Sequence, residues 1–387
     1  MSIDANADTR PQLFVSGRLA ALDGLRTPAV MAVFLYHSAS GFMPGGWSGV
    51  DTFFALSGFV ITLLLVKEHA SRGSIRLGRF YVQRLARLWP ALLIVCVPVA
   101  AASVLLPSSG WGGQGSNALQ GATYVMNIFR SGLVGVTTAG GALGHTWTLA
   151  VEEQFYLVWP LLLIVMLRLF ALRTITIITG LLALAAVAER VAMVATGVGL
   201  NRLYNGPDTR ADQLLLGCVL ALLFMMIKPG SVAASRMASI SSKAIWPAAL
   251  VLVASAFLLA YPKDAGAWFN FYWMFGPFIL AFVATALISG LATNPDHRLA
   301  KVLAHPWMSW PGQNLSYGVY LWHLPLIYLL LPVIEPLVIR VPVVFVLTGG
   351  LAYLSARFVE SPIRARVKLR LDKRSERLPA AEPARAG

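Results

Sequence analysis

Arg26 and His37 stand eleven residues apart in LDGLRTPAVMAVFLYH (22–37), a stretch that otherwise reads as a membrane helix. At about 1.5 Å and 100° per residue, the two side chains share one helix face and lie roughly 16 Å apart along the axis. Ionisable groups inside a lipid-spanning segment are costly and mark function. A phosphate-binding cation at one depth and an imidazole three turns away suit an elongated ligand lying along the helix. The pair therefore points to an enzyme rather than a membrane scaffold, although each residue alone also fits a bland role, Arg26 as a topology signal and His37 as a core histidine.

Four further stretches concentrate polar residues. In GVDTFFALSGFVITLLL (49–65), Asp51 opens an apolar run, where it caps the helix or orients His37 from the neighbouring span. Gly58 in the same run reads as a close helix contact. In RLGRFYVQRLARLWPA (76–91), Arg84 and Arg87 are three apart and face the same way. Planar guanidinium forks of this kind clamp the phosphates of a cytosolic cofactor, or serve as ordinary positive-inside charge. HTWTLAVEEQFYLVWP (145–160) carries adjacent carboxylates, Glu152 and Glu153, about 100° apart on a helix, so at least one must face a polar cavity. Its Trp147 lines a sugar-binding surface or anchors the interface. Finally, DTRADQLLLG (208–217) places Arg210 and Asp212 at a span entrance, and LSYGVYLWHLP (315–325) sets His323 near mid-span before Pro325. A local ion-pair network and a structural hydrogen bond are the plain alternatives for these.

The elements that must position these groups follow from composition. The 387-residue chain is 57% hydrophobic and 12% charged, with a mean hydropathy of +0.69. So few charges cannot cover a soluble protein of this size, so the chain is read as an all-α polytopic membrane protein. Apolar runs broken by polar, Gly- or Pro-containing joints favour helices over a barrel, whose strands alternate residue by residue. About ten transmembrane helices are expected, near 27–43, 50–66, 88–106, 147–167, 174–196, 209–227, 245–261, 271–292, 313–332 and 341–359. With an inside N-terminus, 25 of the 31 Lys and Arg fall in cytoplasmic segments and four in outer loops. Both termini are thus expected in the cytoplasm. The net charge of +14 is then a matter of topology and lipid headgroups, not of nucleic acid.

Residues 1–18 form a polar tail without a signal core, so no cleavable leader is expected. The membrane domain runs over 19–365, and 366–387 read as a disordered basic cytoplasmic tail. Cys96 and Cys218 lie in apolar runs, and no metal-ligating pattern is visible. Within the outer connection 107–146, residues 121–130 read as an interfacial or re-entrant piece. By depth, Arg26, Arg84 and Arg87 belong to the cytoplasmic edge. His37, Asp51, Glu153, Arg210, Asp212 and His323 belong from the midplane outward.

Taken in order, Arg-x10-His, GVDTFFALSGF, RLAR, HTWTLAVEEQFYLVWP, DTRADQLLLG and SYGVYLWHLP resemble the acyltransferase-3 family of membrane O-acyltransferases over roughly residues 19–365. The resemblance implies transfer of an acetyl or other short acyl group from acyl-CoA to a hydroxyl, with acyl-CoA as donor substrate and no tightly bound cofactor. The implied acceptor is a sugar of a surface glycan or a glycosylated natural product such as a macrolide, and the implied location a bacterial cell membrane. By position, His37 matches the catalytic histidine, Arg26 its motif partner, Arg84 and Arg87 the CoA-phosphate contacts, and Glu153 a residue of functional weight. Asp51 or Glu153 is expected to orient His37. Trp147, Glu152, Arg210, Asp212 and His323 are expected around the acceptor. Some members add an extracellular hydrolase-like domain; none follows here, which argues against two-stage transfer onto a tethered domain of the same chain and leaves direct transfer and an acyl-enzyme through Ser57, Ser316 or His37 both open. A secondary transporter or flippase, using the buried acids and bases as a substrate or proton path, is the rival reading.

Overall fold

The computed structural model describes residues 17–264 and 266–376, and among these every regular element is helical. The first helix, α1 (Gly17–Ser38), carries both Arg26 and His37. It is followed by α2 (Gly49–Arg72), α3 (Leu77–Leu105), two short helices α4 (Gln114–Ala122) and α5 (Met126–Ser131), then α6 (Trp147–Leu169) and α7 (Leu172–Ala195). The second half comprises α8 (Leu200–Asn205), α9 (Ala211–Met226), α10 (Val232–Leu258), α11 (Ala267–Thr293), α12 (Arg298–Ala304), α13 (Pro306–Asn314), α14 (Ser316–Leu330), α15 (Leu337–Ser355) and α16 (Ser361–Glu376).

Seven helical stretches among the described residues are long and apolar enough to cross a membrane, those containing α2, α3, α6, α7, α10, α11 and α15. The ten expected spans differ from these at α1, α9 and α14. Helix α1 places Asp23 and Arg26 in its length, while α9 and α14 have 16 and 15 residues, short of the ~20 that match a hydrocarbon core. Their faces are turned inward instead: most of α9 is buried. The tail also differs from expectation. Helix runs through residues 361–376, and Arg79 pairs with Asp372 at 2.7 Å; residues 1–16 and 377–387, with the tail assignments made there, lie outside the described residues.

Small residues set how closely the helices approach. A Cβ on Gly58 would come within 1.9 Å of the Leu214 carbonyl oxygen, and one on Gly217 within 2.0 Å of that of Ala55. Backbone therefore meets backbone between α2 and α9, as small-residue packing permits. Helix α1 is held in the same way at its first half, where Gly24 abuts Leu303 of α12 and Gly312 of α13 abuts Asp23. Thr27 adds a hydrogen bond from Oγ1 to the Met308 carbonyl, 2.6 Å long. Helix α1 starts at Gly17, ten residues before the expected span, so Pro28 lies inside it. The missing N–H costs one intrahelical bond, and the grip of α12 and α13 on this turn keeps the helix continuous past it.

Candidate active site

Arg26, Arg84 and Arg87 converge on one cavity of about 140 Å³, which they line together with Ser57, Glu152 and Tyr317. Helix geometry explains the pairing of Arg84 with Arg87: one turn of α3 separates them, so both guanidiniums project from one face. Their electrostatic settings differ. Arg84 lies 3.0 Å from Glu153 Oε1 and its guanidinium sits 3.4 Å from the centre of the Tyr156 ring. Arg87 makes no hydrogen bond or ion pair among the described residues. Arg26 has only a loose contact with Asp23, at 3.9 Å, and its buried Nε is unpartnered. Two of the three cations are therefore free to meet an anion, while Arg84 is already neutralised. Glu152 accepts a 2.7 Å bond from Ser57 Oγ at the wall of the same cavity.

His37 opens onto a second, roomier cavity of about 310 Å³, shared with Tyr36, Arg130, Trp147, Tyr204 and Tyr261. The two cavities lie back to back. Trp147 faces the second and the next residue, Thr148, faces the first. Between them the Tyr320 hydroxyl donates to the His145 carbonyl at 2.7 Å and lies 2.6 Å from Thr148 Oγ1. Thr148 and Tyr320 line the first cavity and His145 the second, so this hydrogen-bonded set lies where the two approach each other along the expected path of the ligand.

The tautomers of the histidines follow from their acceptors. His323 Nδ1 lies 2.6 Å from the Tyr320 carbonyl oxygen and 3.2 Å from that of Val319. Carbonyls only accept, so Nδ1 carries the hydrogen and Nε2 the lone pair. That lone pair faces His37 Nδ1 at 3.2 Å, and Nδ1 is also 3.0 Å from the Val33 carbonyl. His37 therefore donates from Nδ1 and keeps an unshared pair on Nε2, which has no protein partner among the described residues. A ring so arranged is a base, with a second imidazole behind it to share the charge once a proton arrives. His145 completes the cluster, its ring 4.8 Å from that of His323. It is buried, and neither ring nitrogen is hydrogen-bonded among the described residues.

Four expected site residues sit elsewhere. Asp51 does not orient His37; its Oδ1 lies 3.4 Å from Arg210 Nη1. Glu153 does not either, being held by Arg84. Arg210 also donates to the Tyr204 carbonyl at 2.9 Å and stands over the Tyr204, Trp147 and Trp273 rings. Asp212 is gripped on both oxygens by Arg190, at 3.0 and 2.8 Å, with both side chains fully buried. These two ion pairs tie α2, α7 and α9 together and line neither cavity. Their burial requires mutual pairing, because an isolated charge there would be prohibitively expensive.

Sequence reasoning missed His145, Tyr320, Arg130 and Arg190 as members of these clusters. His145 opens the very stretch that supplied Trp147 and Glu152, so its signal was present. Arg130 lies at the end of the segment read as re-entrant. That segment is anchored on α6 by a mutual amide pair, Asn127 with Gln154, both bonds 2.9 Å.

Seven helices among the described residues, long and apolar enough to cross a membrane and packed around an arginine-lined cavity toward one end of α1 and a histidine-lined one toward the other, make this a multi-pass membrane protein. Residues 19–357 match the model of the acyltransferase domain, and the chain belongs to that family. It is 34% identical to the peptidoglycan O-acetyltransferase OatA of Listeria monocytogenes, across 89% of this chain and 55% of that protein. It is 31% identical to the putative peptidoglycan O-acetyltransferase YrhL of Bacillus subtilis, with the same coverages. A putative O-acetyltransferase of Staphylococcus aureus is 32% identical over 93% of this chain and 60% of its own. The chain spans somewhat more than half the length of these relatives. No solved structure matches it.

Proposed function

We propose that this protein is a membrane O-acetyltransferase that moves an acetyl group from acetyl-CoA to a sugar hydroxyl, with His37 as general base. The observation that carries the reading is the free Nε2 of His37, fixed by His323 and open to its own cavity. In this reading ten helices cross a bacterial cell membrane, α1, α9 and α14 among them, shielded by their neighbours, with both termini in the cytoplasm. The phosphates of the donor rest on Arg87 and Arg26, and Arg84 joins them by sharing its charge between Glu153 and the ligand.

The pantetheine arm then runs along α1 toward Tyr320 and Thr148, past which the thioester meets the second cavity. There His37 Nε2 takes the acceptor's hydroxyl proton. The oxygen attacks the thioester carbonyl, the C–S bond breaks, and the proton passes to the departing CoA sulfur, restoring neutral His37. Positive charge on His37 is stabilised meanwhile by the His323 lone pair at 3.2 Å.

The relatives' printed activities agree with this chemistry. A transporter would leave the thioester intact, so CoA release from acetyl-CoA by the purified protein separates the two readings. His37→Gln is expected to lower kcat by about 10²- to 10⁴-fold while the protein still inserts and binds acetyl-CoA. Turnover by that variant at the wild-type rate would refute the assignment.

A further inference from the structure

The second cavity contains a cation with no anion beside it. Arg130 donates from Nε to Asn205 Oδ1 at 2.9 Å and from Nη1 to the Ala139 carbonyl, and no carboxylate pairs with it among the described residues. Its Nη2 has no protein acceptor among the described residues. Both of its partners are neutral, so they aim the guanidinium without cancelling its charge. Asn205 is itself buried and fixed by a 2.8 Å bond from Nδ2 to the Asn201 carbonyl, which leaves its oxygen directed at Arg130. The loop beside it leaves just enough room. A Cβ on Gly144 would lie 2.8 Å from Arg130 Nη1 and 2.8 Å from the Ala139 oxygen, so the approach of guanidinium to backbone requires glycine at 144.

Such a placement contrasts with every other arginine buried in this half of the molecule. Arg190 and Arg210 each hold an aspartate, whereas Arg130 is turned into a cavity with its charge unspent. Around it Tyr36, Trp147, Tyr204 and Tyr261 supply aromatic faces and hydroxyls, the surroundings that suit the C–H faces and hydroxyl groups of a sugar ring. A partly buried guanidinium without a counter-charge is costly until an anion arrives, and its planar fork fits a carboxylate better than any neutral group.

We propose that the acceptor is an acidic sugar, whose carboxylate binds Arg130 while one of its hydroxyls is presented to His37. This rests on the acyl-transfer reading above. Arg130 then decides which acceptors are used, and because the carboxylate contact exists before and during transfer, its loss acts mainly on acceptor KM.

The test uses the full chain purified in nanodiscs, acetyl-CoA as donor, and CoA release as readout, with two matched acceptor pairs. N-acetylmuramic acid is set against N-acetylglucosamine, and methyl β-D-glucuronide against methyl β-D-glucoside; the acid replaces the C3 hydroxyl hydrogen in the first pair and the C6 hydroxymethyl group in the second, so each hydroxyl missing from one acidic member is present in the other. The acidic member is expected to have the higher kcat/KM, by roughly ten- to a hundredfold, the usual weight of a charged hydrogen-bonded contact. Arg130→Gln is expected to bring the ratio to about one through acceptor KM, and Arg130→Lys to keep part of it. Gly144→Ala, which disturbs the guanidinium without removing it, should lower the ratio in the same direction. Equal use of both members by the wild-type protein overturns the proposal. So does a fall in both members alike in Arg130→Gln, which would make the residue structural or catalytic. If neither acidic sugar accelerates CoA release, the proposal is likewise overturned. Binding of radiolabelled acetyl-CoA in the same sample then tells whether the acyl-transfer reading fails with it: retained binding leaves that reading standing, and lost binding removes both.

Discussion

Replacing His323 by leucine removes the group behind the proposed base without touching the base itself. In the resting protein the lost contact is a neutral hydrogen bond of 3.2 Å, worth about 1 kcal/mol. His37 keeps its other contact, from Nδ1 to the Val33 carbonyl at 3.0 Å, so its tautomer and its free Nε2 should survive. The larger effect comes when His37 holds the acceptor's proton. Its Nδ1–H is then a charged donor, and the bond to His323 Nε2 counts for about 1.5–3 kcal/mol. Only the excess over the resting bond, about 0.5–2 kcal/mol, acts on the barrier, so His323→Leu should lower kcat by roughly 2- to 30-fold, with the KM for acetyl-CoA unchanged, because neither cavity's arginines are disturbed. His323→Gln offers an amide oxygen where Nε2 was and should recover most of the loss. The decisive comparison is the double variant. If His323 works through His37, then His37→Gln combined with His323→Leu is no slower than His37→Gln alone, since a positioning residue has nothing left to position. The assay is steady-state CoA release by purified protein, with thermal midpoint as a folding control. Multiplicative losses in the double variant, or a raised acetyl-CoA KM in His323→Leu with kcat intact, would refute the reasoning.

Two other outcomes follow from the same geometry. Arg87→Gln should raise the KM for acetyl-CoA about tenfold or more, yet leave transfer from S-acetyl-N-acetylcysteamine unaffected, because that donor has no phosphates for the arginine to meet; an equal loss with both donors would place Arg87 outside phosphate binding. Arg190→Met strands the Asp212 carboxylate, which has no solvent exposure, and should cost about 3–5 kcal/mol, read as a large fall in thermal midpoint. Adding Asp212→Leu should restore much of it, whereas an unaltered midpoint in the single variant would contradict a structural role for the pair.

Much of the bundle was legible in the amino-acid order. Long apolar runs gave the helices of α2, α3, α6, α7, α10, α11 and α15, and Gly58 marked the tight face of α2. Arg84 and Arg87 do line one cavity, because residues on one helix keep fixed angular relations whatever surrounds them. The same logic could not choose partners across helices. Asp51 and His37 are close in sequence and at similar depth, so pairing them was natural; yet Asp51 meets Arg210, 159 residues away, and His37 meets His323, 286 residues away. Glu152 and Glu153 differ by one position, and that step sends one to Ser57 and the other to Arg84.

What the sequence alone determined was a set of helices and the face on which each ionisable group stands. Local backbone geometry and the need to hide apolar surface are enough for that. Only the tertiary structure decided which charges cancel and which remain available. Arg190 and Arg210 are silenced by aspartates, Arg87 and Arg130 are left facing cavities, and the Tyr320 hydroxyl lies where the two chambers approach each other. The physical reason is that pairing depends on how neighbouring helices are rotated and spaced. That arrangement is set by small-residue contacts such as Gly58 against Leu214 and Gly24 against Leu303, a property of the whole bundle that no single stretch encodes.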